Sequence, residues 1–274
     1  MATALGAVAI IYLAAFLFAV LLIITSWRDG EPRGVFAGAL ILTGAPALLR
    51  KQFIGSAERV LRALRARPEP VGDRLVPVAA KLAALASVRA PDVIVSHSRT
   101  AEALAVPTQG KPLVIVTTEL LRKLSDRELD AVLAHEISHL ANRDGSVMVF
   151  VGGPALMCAG LWHGDDVRGK IAVVLFLWPL WLIGLALMRA ISRYREYAAD
   201  RGSAVLTGEP EQLMSALTKI AGITPSGDLR GGAAISALCI SGRSTGWLPD
   251  HPPLEKRLKR LAAIARAQGR PIAV

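Results

Sequence analysis

Residues 129–145 read LDAVLAHEISHLANRDG, two histidines four apart with a glutamate beside the first: His135, Glu136 and His139. On a helix, residues four apart share a face, so the two imidazoles can aim at one ion. Leu129, Val132, Leu133, Ile137 and Leu140 mostly occupy the remaining faces and can anchor the helix. Glu136 stands next to the ligands but is displaced around the helix. From there its carboxylate can reach a water on the ion without binding the ion itself. A zinc peptidase needs that arrangement, two neutral nitrogens and a carboxylate base for water. The bland reading of the same spacing is a buried helix whose histidines only pack or hydrogen-bond. Just upstream, SDRE (125–128) has the form of a capping box, in which Ser125 and Glu128 satisfy the first free N–H groups of that helix.

The motif runs into an apolar segment that begins at Val147. The whole chain, 274 residues, is 53% hydrophobic yet carries a net charge of +10, with a mean hydropathy of +0.43. That combination suits apolar membrane spans alternating with basic, water-facing segments. Nucleic-acid binding is not expected, because the arginines flank apolar runs and no basic module is interleaved with aromatics. The two cysteines, Cys158 and Cys239, lie far apart and form neither a disulfide framework nor a metal spacing. A reducing compartment fits.

Four apolar runs are candidate spans: Leu5 to Ile24, 34–49 (broken by Gly44 and Pro46), Val147 to Trp162 (with Gly152, Gly153 and Pro154), and 171–188. The first has no basic leader or cleavage site and reads as a retained anchor. Between Arg50 and Arg89 stand nine basic and three acidic residues, whereas 26–33 and 163–170 carry two basic residues each. The positive-inside rule therefore puts 50–146 and both termini in the cytoplasm. The expected divisions are 1–50 (first hairpin), 51–146 (first part of the water-facing region), 147–188 (second hairpin) and 189–274 (second part). Within 51–146, a pair of basic amphipathic helices around Pro68 and Pro70 is expected to present a solvated charged face near anionic lipid. PDVIVSH (91–97) and KPLVIVTT (111–118) read as strands with a looser stretch between them.

A catalytic zinc takes three protein ligands and keeps one position open. The candidate for the third is Glu196, in RAISRYREYAAD. His139 lies eight residues before the third run and Glu196 eight residues after the fourth, so each sits about 12 Å beyond its own helix's membrane edge. A hairpin of those two runs returns both to one membrane face at one height. The alternative for Glu196 is a surface carboxylate paired with Arg193 or Arg195. Asp200, four residues after Glu196, shares its face and could accept the free N–H of a zinc-bound histidine, His135 before His139. Its alternative is a surface acid at a helix C-terminus, with Gly202 close behind. His97 and His163 read as structural.

VLAHEISHLANRDG, then an apolar hairpin, then SRYREYAAD, then HPPLEKRLKRL, resembles the HtpX-type membrane zinc endopeptidases, relatives of the CAAX prenyl endopeptidases. The resemblance runs from about Pro77 to Leu261. It implies an α+β, mostly helical fold with four transmembrane helices and a cytoplasmic gluzincin-like zinc-peptidase core. It further implies one Zn2+ per chain on His135, His139 and Glu196, with Glu136 as general base and Asp200 behind the ligands. The activity implied is cleavage of misfolded or membrane proteins at the cytoplasmic face of the inner membrane, in envelope quality control. The partners are then protein or peptide substrates and the lipid bilayer. His251 falls where such enzymes carry a late His-Pro motif. It could donate to a tetrahedral oxyanion, or simply start the helix before Pro252 and Pro253. Arg257 could assist or solvate the helix face. One departure stands out: the family's Asn-Ala-Phe-Ala-like stretch is replaced by SHSRTAEALAVP (96–107), in which Glu102 is expected to face solvent.

Two other classes compete with the endopeptidase. A membrane sensor-transducer with one dedicated partner would normally carry a sensing domain outside the membrane, for which loops of about eight residues leave no room. A non-catalytic zinc-stabilised scaffold would make Glu136 dispensable and would need a fourth ligand, which the motif's neighbourhood does not offer. No symmetry in the sequence sets an oligomeric state.

Overall fold

The structure, a computed structural model, describes residues 74–108, 110–144, 178–222 and 252–269, a short strand at 69–70 and scattered positions between 13 and 39. The chain divides into two compact units, Met1–Ile54 with Ser146–Ile191 and Gly55–Gly145 with Ser192–Val274. In the first unit the four expected membrane helices fall largely outside the described residues. Among those described, no helix is long and apolar enough to cross a membrane. Leu13, Phe16, Leu17, Leu21, Ile24 and Trp27 are helical and exposed.

The second unit is a mostly helical α+β body around a small sheet. Strand β1 (Glu69–Pro70) leads to helix α1 (Leu75–Leu85), and three strands follow: β2 (Asp92–Ser96), β3 (Ala103–Val106) and β4 (Leu113–Thr117). Helices α2 (Thr118–Lys123), α3 (Asp126–Ala141), α5 (Pro210–Ala221) and α6 (Leu254–Ala267) complete it, together with the part of α4 (Trp178–Thr207) from Ser192 onward. The sheet order is β1-β2-β4-β3. Strands β2 and β4 run parallel, with Asp92 opposite Leu113 and Ser96 opposite Thr117. β1 pairs antiparallel with β2, and β3 antiparallel with β4.

Three expectations are corrected here. The looser stretch between the strands contains β3, whose four residues ALAV are all buried. Alanine-rich and short, it carries little strand propensity of its own; packing of α3 along it makes the strand. Glu102, one residue before β3, is buried at 5% exposure instead of facing solvent. Its backbone explains why: the Glu102 N–H donates to Thr117 Oγ1 at 2.9 Å, and its carbonyl accepts from the Thr117 N–H at 3.0 Å. The third correction concerns the pair of basic helices. The first lies outside the described residues, and the second, α1, has Lys81 as its single charge. Leu75, Ala79, Leu82 and Ala83 of α1 belong to the core, together with Val114, Val116, Val132, Leu133 and Leu217.

Helix α3 starts on the expected capping box, the Ser125 side chain facing the Glu128 backbone N–H and the Glu128 carboxylate facing the Ser125 N–H. The Glu128 carboxylate accepts from the Ser125 N–H at 2.8 Å, and the Ser125 hydroxyl also donates to it at 2.9 Å. Glu128 also accepts from Ser215 Oγ at 2.6 Å and Lys219 Nζ at 2.8 Å, tying α3 to α5. Burial pushes this carboxyl up, but the bonds from Lys219, Ser215 and Ser125 overcome it and hold it at about 2. A lowered folded-state value means stability that is full above the unfolded value near 4.5 and lost as pH falls through about 2. Thermal melts of Glu128→Gln should therefore lie below wild type at pH 7, the gap closing as the buffer is taken from pH 4.5 towards 2.

The C-terminus of α3 turns sharply. The Asn142 N–H donates to the Ser138 carbonyl at 3.0 Å and the Arg143 N–H to the Leu140 carbonyl at 3.1 Å. Arg143 takes the left-handed conformation, φ +54°. A stop of this kind folds the second residue past the cap back onto the last helical turn. That residue is Asp144.

Candidate metal centre

Helix α3 points His135 and His139 the same way, and their Nε2 atoms lie 3.1 Å apart. Helix α4 brings Glu196 to both: Oε2 is 3.8 Å from His135 Nε2, and Oε1 is 3.6 Å from His139 Nε2. One ligand atom from each of the three lies within 4.8 Å of the others. Donors bound tetrahedrally at about 2.0–2.1 Å to one zinc-sized ion stand about 3.3 Å apart. The triangle has the right size.

The far side of each imidazole decides what the near side can do. His139 Nδ1 donates to Asp144 Oδ2 at 2.5 Å, and His135 Nδ1 lies 3.2 Å from Asp200 Oδ1, with less favourable hydrogen-bond alignment. An ionised carboxylate only accepts, so the proton of each neutral ring sits on Nδ1. Both Nε2 atoms then present lone pairs to one another at 3.1 Å, and a cation between them relieves the repulsion. The charges point the same way. Glu136, Asp144, Glu196 and Asp200 are buried alongside two buried guanidiniums, Arg195 and Arg257. With all four acids ionised, the cluster is two positive charges short, the charge of a divalent metal.

The two arginines each brace one aspartate. Arg195 Nε lies 3.1 Å from Asp144 Oδ2. Arg257, from α6, donates to Asp200 through Nε at 2.9 Å and Nη2 at 2.5 Å, and its Nη1 lies 3.3 Å from Glu196 Oε2. Burial raises the Asp200 carboxyl, but the Arg257 guanidinium, helped by His135, holds it below the usual carboxylate range. Such partners keep the ring orientation and the carboxylate charge in place for a metal. Asp144→Asn is expected to weaken divalent-metal affinity by about 10–100-fold, measured by competition with a chromophoric chelator.

Glu136 stands apart from the three ligand atoms. Its Oε2 accepts from the Ala105 N–H of edge strand β3 at 2.7 Å. Its buried Oε1 has no hydrogen-bond partner among the described residues. Burial pushes this carboxyl up to about 7, with the Glu196 charge adding to it and His139, Ala105 and Arg257 opposing. A carboxyl poised near neutrality with one oxygen free can take a proton and return it.

Of the residues singled out in the sequence, His135, Glu136, His139, Glu196 and Asp200 meet in this cluster. His251 and His163 lie outside the described residues, and His97 is exposed. Arg257 is buried inside the cluster, so the solvating alternative is corrected. The Asp144–Arg195 pair was not anticipated. Its signal was the helix stop NRDG, which sends the residue after Arg143 back towards His139.

A family model described as peptidase family M48 matches residues 72–265. Protease HtpX homolog 2 of Methanosarcina acetivorans is 37% identical over 209 residues, 68% of this chain and 70% of that protein. Protease HtpX homolog of Moorella thermoacetica is 38% identical over 207 residues, 67% of this chain and 69% of that one. Among solved structures, a crystal structure of S. mikatae Ste24p is similar with a TM-score of 0.52 at 17% identity. The likeness covers 89% of this chain but 65% of that one, and it concerns the fold alone.

Proposed function

The chain belongs to peptidase family M48 and is a metalloprotease, a hydrolase of peptide bonds, and from that premise we propose a zinc-dependent endopeptidase with one Zn2+ per chain on His135, His139 and Glu196. The observation that carries this reading is the pair of Nε2 atoms 3.1 Å apart, each ring backed by a buried aspartate, with Glu196 closing the triangle.

When bound, the ion would polarise the scissile carbonyl and acidify a water. Glu136 takes the water's proton at Oε1, while the Ala105 N–H holds Oε2 and so fixes the carboxylate's orientation. As the carbon–nitrogen bond breaks, Glu136 hands that proton to the leaving nitrogen and returns to its starting state. Asp144 and Asp200 keep the imidazole protons on Nδ1 throughout. His251, next to Pro252 at the start of α6, donates a hydrogen bond to the developing oxyanion. Edge strand β3 offers an extended peptide a backbone to pair with, a mode that does not depend on the missing Asn-Ala-Phe-Ala-like stretch.

The setting proposed for this chemistry is the plasma membrane. The four apolar runs cross it, with the peptidase core and both termini in the cytoplasm, and the substrates are unfolded or membrane proteins in envelope quality control. The exposed apolar side chains from Leu13 to Trp27 support a lipid-facing surface. Detergent-purified protein should carry one zinc per chain by elemental analysis. Chelation should stop cleavage of an unfolded model protein and added zinc restore it. Undiminished cleavage after complete zinc removal would refute the reading.

A further inference from the structure

The third ligand comes from a different helix than the first two, so something must set how closely α4 approaches α3. Glu196 meets His139 and His135, Asp200 meets His135, and Ser203 meets Ala131, so the two helices pack antiparallel along this stretch. Gly202 lies beside this face, opposite Ser138, the residue between Ile137 and His139. A Cβ placed on Gly202 would come within 2.3 Å of Ser138 Oγ and 2.7 Å of Ser138 Cβ, with Ser138 Cα at 3.9 Å. Rotation of the Ser138 side chain could move Oγ aside but not Cβ. One residue on, the buried Ser203 hydroxyl donates to the Ala131 carbonyl at 2.7 Å, a bond that fixes the sliding register of the same two helices.

We propose that Gly202 and Ser203 are positioning residues of the metal site: the missing side chain at 202 sets the separation of α3 and α4, and the Ser203 bond sets their register. Together they hold Glu196 within 3.6–3.8 Å of the two imidazole Nε2 atoms. The inference rests on the reading of His135, His139 and Glu196 as metal ligands. It goes beyond that reading, because neither residue touches the ligand atoms. A methyl group at 202 would pry the helices apart at one end, and the carboxylate is the ligand that would move.

The test uses the full chain in detergent and four proteins: wild type, Gly202→Ala, Ser138→Gly, and Gly202→Ala with Ser138→Gly. Zinc dissociation constants are read by competition with a chromophoric chelator, and melting temperatures are read on the zinc-free proteins. Gly202→Ala should bind zinc on the order of tenfold more weakly, the scale seen when a site's supporting shell is disturbed. The double variant leaves Ser138 Cα as the nearest atom, at 3.9 Å. It should recover affinity to within about threefold of wild type, although glycine inside α3 costs it about 1 kcal/mol of helix stability. Affinity recovered while the zinc-free melting temperature stays low is a result that a purely structural role does not give. Wild-type affinity in Gly202→Ala, or a double variant no tighter than Gly202→Ala, would overturn the proposal. If wild type itself binds no zinc, the ligand assignment fails first and this inference with it.

Discussion

Glu136→Gln should bind zinc as wild type does and cut an unfolded model protein at least about 1,000-fold more slowly, within the range that a positioned general base contributes. The substitution is nearly isosteric. The side-chain carbonyl oxygen can still accept from the Ala105 N–H, so the contact between α3 and β3 survives. What disappears is the free, buried Oε1 with its pushed-up proton affinity. Glu136 is not among the three residues whose atoms form the metal triangle, so occupancy should not change. Elemental analysis of the same preparations used for the cleavage assay checks this. Wild-type cleavage by the variant would remove Glu136 from the chemistry.

Glu196→Ala should fail in the opposite way, losing the metal before the chemistry. The two imidazoles remain, but a site with two protein ligands holds the ion poorly. Affinity should fall beyond the roughly 100-fold typical of outer-shell changes, and cleavage should disappear at any zinc concentration that keeps the wild type saturated. Arg257 would keep its bidentate bond to Asp200, so the fold should persist. The two variants thus separate binding from turnover: one retains zinc and does nothing, and the other is empty. A chelator competition run on both, beside the cleavage assay, tells them apart.

The sequence showed the part of this site that obeys helix geometry. Four-residue spacing puts His135 with His139 and Glu196 with Asp200, and no tertiary knowledge was needed to see that each pair shares a face. Residues that depend on chain reversals or on distant elements were harder to see. Asp144 follows a helix stop and looks like loop punctuation, until the left-handed turn at Arg143 returns it to His139. Arg257 sits among exposed basic residues of α6, and nothing local distinguishes it from Lys256, Lys259 or Arg260; only packing makes it the buried partner of Asp200. Strand β3 failed for a related reason. ALAV has weak strand preference, and its burial comes from α3, which lies some twenty residues downstream. Its correct placement matters, because the Ala105 N–H on that strand is what holds Glu136.

The sheet and the Ser125 pair divide in the same way between local and tertiary causes. Both long strand patterns, DVIVS and LVIVT, were readable because their β-branched runs are intrinsic. Their parallel pairing was not, since register between strands is a tertiary property. Ser125 and Glu128 do start α3 as a capping box, and the same carboxylate also accepts from Ser215 and Lys219 of α5. Local rules put the right residues at the helix start, and the bonds from the neighbouring helix are the part they do not show.

The most direct measurement is the zinc X-ray absorption spectrum of detergent-purified wild-type protein. The expected result is one zinc per chain with nitrogen and oxygen scatterers at about 2.0–2.2 Å, two of them imidazoles. One imidazole should be lost in His139→Ala. A sulfur scatterer near about 2.3 Å, or an imidazole count untouched by His139→Ala, would contradict the assignment of His135, His139 and Glu196.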